Sequence, residues 1–113
     1  MRVLFVDDHL DTLFAMSRLL QLNGHQTTTA TTLAEARRLC ETLTFDLLIT
    51  DIRLPDGDGR LLAEVARKCG AKAISVSGLA VEVDGIGFQA HLTKPIDFGT
   101  LQATVDRVMR VRR

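Results

Sequence analysis

Asp7 and Asp8 are adjacent, Asp51 stands alone behind Leu47-Leu48-Ile49-Thr50, Ser77 follows Ala73-Ile74-Ser75-Val76, and Lys94 precedes Pro95. Each of these polar residues closes an apolar or half-apolar run. If the fold gathers them, three carboxylates share one small volume, where they repel and cannot all ionise cheaply. Positive charge must offset them. Lys94 supplies one unit, and a hard divalent cation with oxygen ligands, Mg²⁺ above all, suits the remainder. Ser77 adds a hydroxyl donor. A carboxylate nucleophile, a metal, an ammonium and a hydroxyl are the parts of a phosphoryl-transfer site.

The elements that must position them alternate along the chain. Val3 to Val6 reads as a strand, and Leu10, Leu13, Phe14 and Leu20 follow at mostly helical spacing up to Asn23-Gly24. Gln26 to Ala30, rich in Thr, is a second strand. Thr32 and Glu35 form a capping-box pattern for a helix with Leu33, Ala36, Cys40 and Leu43 on one face. Leu47 to Ile49 is the third strand. The turn residues of Leu54-Pro55-Asp56-Gly57-Asp58-Gly59 make a loop, with Asp58-Gly59 capping a helix that carries Leu61, Leu62, Val65, Ala66 and Cys69. Ala71 to Val76 is the fourth strand. Gly78 to Phe88 leaves room for about two helical turns. Gln89 to Thr93 is the fifth strand, and Asp97 caps a last helix with Phe98, Leu101, Val105 and Val108 inward.

Strict alternation predicts an α/β fold, a doubly wound parallel sheet of five strands. Strands one, three and four are mostly apolar, as strands covered on both faces must be. Strands two and five are more polar and suit the edges. The order 2-1-3-4-5 satisfies this, and ligands in such sheets bind beyond the carboxyl ends, where the order reverses. That crevice lies between strands one and three, so Asp7, Asp8 and Asp51 should meet there.

Composition narrows the function further. Lys+Arg and Asp+Glu number 14 each, so the net charge is zero, which argues against direct nucleic-acid binding. The 46% hydrophobic and 25% charged content fits one globular domain over residues 1–113. No apolar run is long enough for a membrane span, and no leader is visible before the acidic residues, which predicts a cytoplasmic protein. Cys40 and Cys69 form no CxxC pair and read as buried thiols. The scattered His9, His25 and His91 give little support to a zinc site. The basic tail of Arg107, Arg110, Arg112 and Arg113 reads as a helix end that complements the helix dipole.

Taken in order, Val6-Asp7-Asp8, Asp51 with Pro55 and Gly59, Ser77, and Lys94-Pro95 resemble the signature of the response-regulator receiver domain of two-component signalling, over essentially the whole chain. The resemblance implies a flavodoxin-like fold. It implies Asp51 as phosphoacceptor, and a Mg²⁺ site in which Asp8 binds directly, Asp7 mostly through water, and Asp51 and the Arg53 backbone carbonyl complete the set. Ser77 would bond the phosphoryl group and move toward it, Lys94 would pair with Asp51, and the Lys94-Pro95 bond would be cis. The implied donor is a histidine kinase or phosphotransfer protein. The implied output is a partner-binding surface on a monomer or weak dimer, read by another protein. Such a domain catalyses its own phosphorylation and slow hydrolysis but is a signalling switch, not a turnover enzyme.

Two features depart from the pattern. His91 replaces the more usual Phe or Tyr three residues before the lysine, so a tyrosine-like switch is in doubt and any His91 movement would depend on pH. The segment between Ser77 and Lys94 is short, which predicts a stubby, irregular or absent fourth helix. Alternatives are a receiver module of a hybrid sensor kinase or longer regulator, which the His91 context favours slightly, and a phosphorylation-independent interaction domain. A phosphotransferase using a strand-one aspartate is a weaker rival, since it would want Asp-x-Asp where this chain has Asp7-Asp8.

Overall fold

The computed structural model describes residues 1–78 and 87–110. Five parallel strands form one sheet: β1 (Arg2–Val6), β2 (Gln26–Ala30), β3 (Leu47–Asp51), β6 (Lys72–Ser77) and β7 (Ala90–Thr93), in the order β2-β1-β3-β6-β7. This is the expected 2-1-3-4-5 order, with β6 and β7 as the fourth and fifth sheet strands. A short antiparallel ribbon, β4 (Arg53–Leu54) with β5 (Gly57–Asp58), occupies the segment read as a loop. The helices are α1 (Leu10–Leu22), α2 (Leu33–Thr42), α3 (Leu61–Lys68) and α4 (Phe98–Met109). The expected helix between Gly78 and Phe88 falls on residues 79–86, outside the described residues.

Strand polarity sorts the sheet as anticipated. β3 is buried at every position, and β1 and β6 at all but their first, whereas β2 and β7 are partly open. Alternation divides the central strands between two cores. Val3, Phe5, Ile49, Ile74 and Val76 face α1 and α4 through Leu13, Leu20, Leu101 and Val105. Leu4, Val6, Leu48 and Ala73 face α2 and α3 through Leu33, Ala36, Cys40, Leu62 and Ala66. Burying each of these large side chains contributes about 1.5–3 kcal/mol, enough to fix strand register and thereby the height of every strand end.

Local signals explain the helix starts. Thr32 Oγ1 accepts from Glu35 N–H at 3.1 Å, while Glu35 Oε1 accepts from Thr31 N–H at 3.0 Å, one residue earlier than a standard capping box. Asp97 accepts from Thr100 N–H at 2.8 Å. Asp58 does not cap α3: its carboxylate binds the backbone N–H and guanidinium of Arg60, and Arg60, the residue before α3, makes no side-chain cap. Leu10, Phe14, Leu43 and Leu61 are exposed although helical spacing grouped them with core residues. Cys69 is likewise exposed, which corrects its reading as a buried thiol, while Cys40 is buried.

Candidate functional site

The sheet order places the ends of β1, β3, β6 and β7 along one crest. The ladders continue one step past the strands that carry the site. Asp7 N–H donates to Ala30 O at 3.1 Å, Ile52 N–H to Val76 O at 3.0 Å, and Lys94 N–H to Ser77 O at 2.7 Å. These bonds hold the backbone at Asp7, behind Asp51, and between Ser77 and Lys94.

The three carboxylates meet as the sequence implied. Asp7, Asp8 and Asp51 each offer a carboxylate oxygen within 4.8 Å of the others. Asp7 and Asp51 are buried at 1% and 6% exposure, and Asp8 is open to solvent. Lys94 reaches them from β7. Its Nζ lies 2.9 Å from Asp51 Oδ2, 3.2 Å from Asp7 Oδ2 and 3.4 Å from Asp7 Oδ1. One ammonium therefore serves two buried carboxylates.

Backbone donors fix the carboxylates further. Asp7 Oδ1 accepts from His9 N–H at 2.9 Å, and Asp51 Oδ1 from Arg53 N–H at 3.2 Å. Asp7 Oδ2 is buried and accepts no hydrogen bond among the described residues. Burial raises the Asp7 carboxyl above the usual aspartate range; His9 N–H and the Lys94 charge pull it back, and the Asp51 charge adds to the rise. Burial opposes the Lys94 charge, but the Asp51 hydrogen bond and the charges of Asp7 and Asp51 outweigh it and raise the ammonium above its ordinary value.

An open cavity of about 840 Å³ adjoins this group on the Asp51 side, lined by Asp51, Arg53, Asp58, Arg60, Ser77 and Lys94 among others. Ser77 is buried at its edge. Arg53 is held by pairing with Asp58 across the β4–β5 ribbon. The Lys94–Pro95 peptide is cis. A surplus of negative charge over one ammonium, with Asp7 Oδ2 buried and held only by its ion pair with Lys94, fits a hard divalent cation such as Mg²⁺.

His91 is not among the residues lining the cavity. It pairs in register with Ser75, and a 2.7 Å hydrogen bond joins Ser75 Oγ to His91 Nδ1. Two contacts were not read from the sequence. Asp56, in the β4–β5 turn, accepts from Leu33 N–H at 2.7 Å and Ala34 N–H at 2.9 Å, tying the loop after Asp51 to the start of α2. Gly59 packs directly on the Asp51 backbone. Turn composition placed both residues in a loop but gave no partner for either.

A five-stranded doubly wound sheet with an acidic crest at its switch point is the architecture of a receiver-type signalling domain, and direct comparison places the chain in that class. Residues 3–106 match the response regulator receiver domain, and the chain belongs to that family. It is 32% identical, over 98% of its length, to the response regulator protein PilR of Pseudomonas aeruginosa, of which it spans 26%. Among solved structures it resembles the receiver domain of the hybrid histidine kinase CckA, with a TM-score of 0.83, 33% identity, and coverage of 97% of this chain and 100% of that one. It also resembles a CheY-like receiver domain protein from Methanospirillum hungatei JF-1, with a TM-score of 0.88, 29% identity, and coverage of 94% and 90%. Receiver domains are signalling domains of two-component systems. Among the described residues no helix is long and apolar enough to cross a membrane.

Proposed function

We propose that residues 1–113 act as one receiver domain that takes a phosphoryl group from a phosphohistidine donor onto Asp51. One observation carries this reading: Lys94 Nζ bridges Asp51 and Asp7 beside Asp8, and Asp51, Ser77 and Lys94 together line an open cavity that a phosphoryl group can enter. An Asp51 carboxylate oxygen attacks phosphorus as the bond to the histidine nitrogen breaks. The products are an acyl phosphate on Asp51 and a neutral imidazole. Arg53 N–H on Oδ1 and Lys94 on Oδ2 orient the nucleophile.

Asp7, Asp8, Asp51 and the Arg53 backbone carbonyl would hold Mg²⁺, which supplies the charge that lets an anionic phosphoryl group approach three carboxylates. Lys94 answers the charge added on Asp51, and Ser77 donates its hydroxyl to the phosphoryl group. Ser77 and Lys94 sit on neighbouring strands joined by the Lys94 N–H to Ser77 O bond, so a shift at either is passed to the β6–β7 edge. That edge is the surface a downstream protein would read. His91, tied to Ser75 on the same edge, would report the shift if it moves.

The donor is a histidine kinase or phosphotransfer protein. The likeness to the CckA receiver favours a second setting for the same chemistry, a relay module within a larger kinase. The test is phosphotransfer profiling with labelled histidine kinases. Label should pass to the wild-type chain within minutes and not to Asp51→Ala. Equal transfer to Asp51→Ala would overturn the assignment.

A further inference from the structure

Cys40 and Cys69, 29 residues apart, converge between two helices. Cys40 lies in the last turns of α2 and packs into the core cluster that also holds Leu62 and Ala66 of α3. Cys69 is the C-terminal cap of α3, its N–H bonded to Val65 O and Ala66 O. Its Sγ donates to the Cys40 carbonyl oxygen at 3.4 Å. The last carbonyls of a helix lack intrahelical donors, so this thiol completes the end of α2. The two cysteines differ sharply in access: Cys69 is exposed and Cys40 is 8% exposed.

We infer that Cys40 and Cys69 are a thiol pair that low-molecular-weight disulfides oxidise to an α2–α3 cross-link. The exposed Cys69 thiolate attacks one sulfur of an external disulfide RSSR. A Cys69–S–S–R mixed disulfide forms and RS⁻ leaves. The Cys40 thiolate then attacks the Cys69 sulfur and expels the second RS⁻. The two thiol protons end on two RSH, the external disulfide is reduced by two electrons, and the cysteine pair is oxidised by two.

The environment orders the steps. Burial, then the neighbouring Cys69 and Glu41, push the Cys40 thiol up to about 11. Cys40 is therefore a poor first nucleophile and acts only once Cys69 holds an electrophilic sulfur. The bridge would close a ring of chain that contains β3, Asp51 and the β4–β5 ribbon. Asp56 already ties that ribbon to the other end of α2.

The experiment is incubation of the reduced chain with oxidised glutathione, read by intact mass and by non-reducing peptide mapping. The expected product has lost two hydrogens, carries no glutathione and contains one Cys40–Cys69 peptide pair. Closure should quicken as pH rises, following the Cys40 thiolate. Cys40→Ser should stop at a Cys69–glutathione adduct, and Cys69→Ser should react at least tenfold more slowly. The bridged chain should melt higher than the reduced one, reversibly with dithiothreitol. Any of three results overturns the inference: a lasting Cys69 adduct in the wild type, a bridge between two chains, or a bridged chain that melts lower. The inference does not depend on Asp51 accepting phosphate.

Discussion

A Cβ placed on Gly59 would overlap the carbonyl oxygen of Asp51 and lie 2.9 Å from its carbonyl carbon. Gly59 N–H also donates to Ile52 O at 2.6 Å, so the two backbones are in direct contact. Any side chain at this position must push the Asp51-Ile52-Arg53 segment away from the carboxylate cluster. Gly59→Ala should cost about 1–3 kcal/mol in denaturant unfolding, as overpacking against backbone does. It should also slow phosphorylation of Asp51 by roughly 10–100-fold, because sub-ångström misplacement of a nucleophile is costly. A variant with wild-type phosphorylation kinetics would show that the contact does not position Asp51.

Asp56 links acid stability to the loop behind the site. Its carboxylate accepts from Leu33 N–H and Ala34 N–H at the start of α2, and these bonds hold it below the ordinary aspartate value of 3.8. The unfolded chain therefore takes up this proton more readily than the folded one. The stabilisation is complete above the unfolded value and is lost as pH falls through the lower folded value. Asp56→Ala should melt below the wild type by a constant margin from pH 5 to 7, and the margin should close toward pH 3. A margin that persists unchanged at pH 3 would contradict the capping role.

Much of this architecture was legible in the sequence because strands one, three and four are mostly apolar and each is followed by a polar residue. Parallel pairing then forces those ends onto one crest, so Asp7, Asp8, Asp51, Ser77 and Lys94 could be grouped without coordinates. Contacts made by the backbone itself were not legible. Asp56 bonds helix N–H groups more than 20 residues away, and nothing in its local spacing marks them. Gly59 was legible as the glycine of the signature behind Asp51, but its approach to the Asp51 backbone was not. Helical periodicity also overreached, since Leu10 and Phe14 share the spacing of Leu13 and Leu20 yet stand 51% and 59% exposed. The convergence of Cys40 and Cys69 depends on two helices lying side by side, which spacing within either helix does not report.

Charge balance at the crest gives a further expectation. One Lys94 faces three carboxylates, so without metal the site carries excess negative charge in a partly buried setting. Asp51→Asn removes one charge and leaves Lys94 paired with Asp7. The variant should melt roughly 2–5 °C above the wild type in chelator. With Mg²⁺ the gap should shrink, because the wild type gains binding free energy that the variant lacks. Asp8→Asn should likewise weaken Mg²⁺ binding by at least about tenfold. Calorimetric melting with and without Mg²⁺ checks both. A clear loss of stability in metal-free Asp51→Asn would show that the Lys94 pair outweighs the repulsion.

Mass spectrometry of the intact chain after treatment with a small-molecule phosphodonor and Mg²⁺ tests the central assignment most directly. One phosphoryl group should appear, require the metal, be released by hydroxylamine, and map by reductive trapping to Asp51. The absence of any adduct, or one that persists in Asp51→Asn, would contradict the account.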